Sequence, residues 1–70
     1  MAESFDLVSD HLLNATYDAE TEVLDITFTD NSSYSYDNVP EEVAMGLKRA
    51  ASASYYFRNY IKGRYRFFRA

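Results

Sequence analysis

Residues 23–43 read VLDITFTDNSSYSYDNVPEEV, and the fold turns on how this stretch is parsed. It begins with strict alternation. Leu24, Ile26 and Phe28 fall on one side, and Asp25, Thr27 and Thr29 on the other. A period of two with β-branched and aromatic residues predicts a half-buried strand. Asp30-Asn31-Ser32 is a tight-turn signal, because Asp and Asn cap their own turns and tolerate left-handed backbone. Alternation resumes at 33–37, with Tyr34 and Tyr36 opposed to Ser33, Ser35 and Asp37. At Pro40 the period changes. Proline suits the first turn of a helix, where its missing N–H has no intrahelical partner. Glu41 and Glu42 then meet the positive end of the helix dipole, and Lys48 and Arg49 the negative end. Val43, Leu47 and Ala50 or Ala51 follow the spacing of a core-facing stripe. Gly46 lies inside this helix, where glycine costs about 1 kcal/mol relative to alanine. Its expected use is close approach to the sheet.

In LLNATY, residues 12–17, Leu13, Ala15 and Tyr17 are expected on one face of a strand. DAETE at 18–22 is a polar turn. Beyond the first helix, Ser52 or Ser54 can cap a second, SYYFRNYIK, in which Phe57 and Ile61, like Tyr56 and Tyr60, are four apart and expected in the core. Gly63 is the natural residue to end it. RYRFFRA at 64–70 alternates briefly, as an extended segment laid back on the sheet would. The expected architecture is α+β, with one domain over residues 1–70. A three-stranded antiparallel meander is covered on one face by two C-terminal helices, in the order β-β-β-α-α.

Seventy residues bury only about 60% of their unfolded surface, so every core side chain counts. There is no cysteine, hence no disulfide, thiolate nucleophile or Cys-ligated zinc. No stretch approaches the ~20 apolar residues that span a bilayer, so the expected setting is soluble and cytoplasmic, with no membrane partner. His11 is the only histidine, and no serine sits in a nucleophile elbow. Asp18, Glu20 and Glu22 are spaced like the first ligands of a calcium loop, but Val23 occupies the position that requires glycine. A catalytic role, a metal, a cofactor and a small-molecule substrate are therefore not expected.

Charge is divided along the chain. All eleven acids lie between Glu3 and Glu42, and all seven bases between Lys48 and Arg69. The formal net charge of -4 conceals this division. One reading is that the acidic half folds against the basic half, with arginines paired to Asp25, Asp30 or the acidic hairpin. The other is that one pole faces a charged partner. The candidate binding residues are Arg58, Lys62, Arg64, Tyr65, Arg66 and Arg69, where cations interleave with aromatics. That mixture suits single-stranded RNA, with arginine on phosphate and rings stacked on bases. Tyr34 and Tyr36 are open to two readings. They are stacking platforms, or they are the part of their strand that enters the core.

Taken together, these segments resemble the KTSC domain. That module occurs at the C-terminus of some lysyl-tRNA synthetases and as small stand-alone bacterial and phage proteins. The resemblance runs from Ser9 to about Arg69. It rests on Ser9, Tyr17-Asp18, LDITF at 24–28, and the central Tyr34-Ser35-Tyr36. Further along it rests on Val39-Pro40-Glu41-Glu42-Val43, the Ala50-Ala51-Ser52 segment, Tyr56-Phe57, and Ile61-Lys62-Gly63-Arg64-Tyr65. The motif positions singled out are Tyr34, Tyr36, Pro40, Ser52 and Phe57. Two positions depart from the pattern. Ser54 and the Asn31-Ser32 turn stand where the family usually has glycine, and both imply a need for positive φ that Asn31 meets more easily. The synthetase association implies RNA. The expected function is a non-catalytic RNA-binding module using the C-terminal basic-aromatic surface. The alternative is a protein-interaction module or phage-type inhibitor acting through the acidic face, with self-association of acidic pole to basic pole as a third.

Overall fold

The computed structural model describes residues 2–69. The sheet has five strands, not the three expected. They are β1 (Ala2–Asp6), β2 (Leu12–Asp18), β3 (Val23–Phe28), β4 (Ser33–Tyr36) and β5 (Phe67–Arg69). Helices α1 (Glu41–Arg49) and α2 (Ala53–Tyr60) lie between β4 and β5 in the chain. Every neighbouring pair is antiparallel, in the order β1-β2-β3-β4-β5. The two extra strands are the edges. β1, AESFD, has one buried residue, Phe5, and so carries almost no hydrophobic pattern. β5 has only three residues, all exposed. Pairing with β2 and β4, rather than their own periodicity, makes them strands. The extended tail expected at 64–70 thus contributes an edge strand.

The register sets two rows of side chains against the helices. One runs Glu3–Tyr17–Leu24–Tyr36–Phe67, the other Phe5–Ala15–Ile26–Tyr34–Arg69. Tyr17, Leu24, Tyr36, Ala15 and Ile26 are buried, together with Val39, Ala44, Leu47, Ala53, Phe57 and Ile61 from the helical half. The opposite face carries the row Ser4–Thr16–Asp25–Ser35–Phe68 and no helix. Its polar groups satisfy one another. The hydroxyls of Ser4 and Thr16 lie 2.8 Å apart, and Ser35 donates to Asp25.

Three local expectations change. A register shift between Leu12 and Asn14 places Leu12, not Leu13, in the core. An irregularity of this kind interrupts the two-residue period, so Leu13 turns outward while Ala15 and Tyr17 keep their inward face. Tyr60 is 51% exposed, because α2 ends there and only Phe57 and Ile61 continue the buried stripe. Gly46 makes its close approach to α2 and not to the sheet. A Cβ at Gly46 would lie 2.1 Å from the Tyr56 hydroxyl, which donates to the Val43 carbonyl at 3.0 Å.

Ile26 is fully buried in the central strand, and its truncation to alanine is expected to cost about 2–5 kcal/mol in denaturant unfolding. An unchanged midpoint would place Ile26 outside the core. Gly46→Ala is expected to destabilise despite alanine's better helix propensity, because overpacking costs about 1–3 kcal/mol against the ~1 kcal/mol regained. Adding Tyr56→Ala should recover part of that loss, a non-additivity visible in a double-mutant cycle.

Candidate functional site

The chain passes from sheet to helices at Val39-Pro40. Val39 is fully buried, its N–H donates to the Glu22 carbonyl at 2.9 Å, and its carbonyl accepts the Tyr17 hydroxyl at 2.6 Å. Pro40 caps α1, and its carbonyl accepts the Val43 and Ala44 N–H groups. Ser52 caps α2, its hydroxyl accepting the Tyr55 N–H at 3.3 Å. Ser9 ties the β1–β2 connection to α2. Its hydroxyl accepts the His11 and Leu12 N–H groups at 3.0 Å and lies 2.5 Å from the Ser54 hydroxyl. Asn31 takes φ 71°, as the turn requires. Ser54 has no positive φ. It lies in the first turn of α2, so the strain expected there does not arise.

Burial fixes the role of the two central tyrosines. Tyr36 is in the core and Tyr34 packs half-buried against it. Burial, with a smaller contribution from Tyr34, pushes the Tyr36 phenol up to about 12. Burial, followed by the charges of Glu22, Glu41 and Asp18, also raises Tyr17.

The predicted binding residues do not form one surface. The Arg69 guanidinium lies 5.9 Å from the centre of the Tyr34 ring, on the helix-facing side. Lys62 flanks an aromatic hollow between α2 and the β4–β5 edge, lined by Phe28, Tyr34, Tyr36, Phe57 and Phe67. Arg58 flanks the neighbouring stretch beside His11 and Ser54. Arg66 is on the other side, its guanidinium 5.0 Å from the ring of Phe68. The Arg64 side chain folds back to donate from Nε to the Asn59 carbonyl at 3.0 Å. Tyr65 packs half-buried against the core. Sequence reasoning missed the contribution of Phe28 and Phe67 to the hollow. The alternation of β3 marked the face of Phe28, but only the chain's return as β5 brings Phe67 beside it.

Ion pairing between the charge blocks is sparse. Among the described residues the one ion pair joins Lys48 to Glu3 at 2.6 Å, where the end of α1 meets β1. Asp25 accepts from Ser35. Asp30 is held below the usual carboxylate range by hydrogen bonds from Ser32, with a smaller contribution from Arg69. The acidic edge β1 and the basic edge β5 are separated by the full width of the sheet.

The KTSC domain family model matches residues 8–65. The chain belongs to the KTSC domain family. A KTSC domain protein of Yersinia pestis, solved by crystallography, superposes with a TM-score of 0.92 at 26% identity, covering 100% of this chain and 99% of that one. No curated protein matches the chain. No helix of this KTSC domain is long and apolar enough, among the described residues, to cross a membrane.

The raised phenols give a pH dependence. A tyrosine in the unfolded chain ionises near pH 10, whereas Tyr36 resists until about 12. Its neutral form therefore stabilises the fold fully below pH 10, and that contribution is lost between pH 10 and 12. Unfolding midpoints measured across this range should fall, and Tyr36→Phe should flatten the decline. An equal slope in the variant would mean that Tyr36 is not the titrating group.

Proposed function

We propose that the protein is a non-catalytic, cytoplasmic RNA-binding module that uses the basic-aromatic side formed by α2 and β5. The observation that carries this reading is uncompensated charge. Of the seven basic residues, Lys48 alone is paired with an acidic side chain among the described residues. Arg58, Lys62 and Arg69 remain exposed beside aromatic rings. Exposed cations that form no ion pair with an acid can neutralise phosphates, and exposed rings stack on bases with little sequence preference. The acidic β1 edge, at the opposite side of the sheet, disfavours nucleic acid there and so orients it. The RNA implied by the family resemblance agrees with this chemistry.

Fluorescence anisotropy of a labelled single-stranded RNA, titrated with the protein at two salt concentrations, tests the reading. Binding is expected to weaken with salt at a log–log slope of about -0.7 for each phosphate neutralised. Absence of binding at low salt would overturn it.

A further inference from the structure

The helix side of the β4–β5 edge carries a groove whose floor is aromatic and whose rim is basic. Its more enclosed part has a volume of about 310 Å³, at the small end of ligand clefts. Most rings of its floor meet edge to face, and Tyr36 and Phe67 are tilted at 36°. Phe28 lies 5.7 Å from Tyr34 and 5.6 Å from Phe57, and Phe67 lies 5.8 Å from Tyr34, all centroid to centroid. Phe67 nevertheless keeps 53% of its surface exposed. The groove continues past Phe28 and Lys62 to His11 and Arg58. The Lys62 and Arg58 side chains are exposed and engage no acid among the described residues. Asp30 stands in the adjoining hollow beyond Tyr34, and the charge of Arg69 opposes it.

We infer that this groove holds one unstacked nucleobase of a single RNA strand, with the flanking phosphates on Lys62 and Arg58. An apolar recess sized for a small ring system, bordered by cations on its open side, is complementary to a planar base joined to anionic linkages. This assignment rests on the RNA-binding reading above and narrows it. The binding face is the helix side of the sheet edge, not the open face on which Arg66 and Phe68 sit.

Adjacent residues of β5 provide the test. Phe67 and Phe68 are consecutive, similarly exposed at 53% and 49%, and directed to opposite faces of the sheet. Neither substitution changes charge, so long-range electrostatics are the same in both. In anisotropy titrations with the same labelled single strand, Phe67→Ala should weaken binding about fivefold to a hundredfold, the range for loss of one stacked base. Phe68→Ala should change it less than about twofold. Lys62→Glu should weaken binding and reduce the salt slope by about 0.7. Thermal melts establish that each variant is folded, and Lys62→Glu, at an exposed position, stands as the second probe if Phe67→Ala is not. Wild-type binding with loss at Phe68 and none at Phe67 or Lys62 would overturn the groove while leaving RNA binding intact. No wild-type binding would overturn both.

Discussion

The helical layer is anchored to the sheet through Val39. Both of its backbone polar groups are bonded within the fold, the N–H to Glu22 and the carbonyl to the Tyr17 hydroxyl, and its side chain is fully buried. A buried backbone group must find a partner, and here both partners come from the β2–β3 hairpin. Pro40 follows at once, ends the extended run and starts α1. The position of α1 therefore depends on a hairpin made about twenty residues earlier. The Tyr56 hydroxyl, fitted beside Gly46 and bonded to Val43, then locks α2 against α1. From that chain of contacts follow the place of Phe57 over Tyr36 and the aromatic hollow beside it.

Charge follows the topology. Because the chain builds its sheet in sequence order and returns after the helices to the β4 edge, β1 and the strand of the basic tail, β5, lie at opposite edges, while Asp30 and Asp37 lie near the tail. Only Lys48, at the end of α1, reaches back to the acidic β1. The 2.6 Å contact is exposed on both sides, and a surface pair of this kind contributes at most about 1 kcal/mol. Self-neutralisation is thus a minor contributor to stability, which rests instead on the two inward rows of side chains. Among the described residues the cations of α2 and β5 form no ion pair with an acid.

The interior of the sheet was legible because burial on one face imposes a period of two. Leu24 and Ile26 take the predicted inward side, and Tyr34 and Tyr36, whose alternation allowed two readings, face inward with them. The helices were legible from their ends. Pro40, the Glu41-Glu42 and Lys48-Arg49 pairs, and the Ser52 cap each mark a terminus. The edges were not, since an edge strand buries little and carries little pattern. Leu13 misled for a related reason. A bulge is a property of the pairing with β3, and nothing in LLNATY announces it.

For the candidate site, composition alone gathered the cations and rings into one segment, and the sequence determined their number and their alternation. It could not determine which of them share a surface. Arg66 and Arg69, three residues apart, lie against rings on opposite faces of the sheet. Phe67 and Phe68, one apart, are likewise divided. That division is set by the register of β5 on β4, because a strand points successive side chains to opposite faces and a one-residue slip would exchange them. Pairing register, a long-range property of the folded chain, decided which half of the basic tail meets the groove.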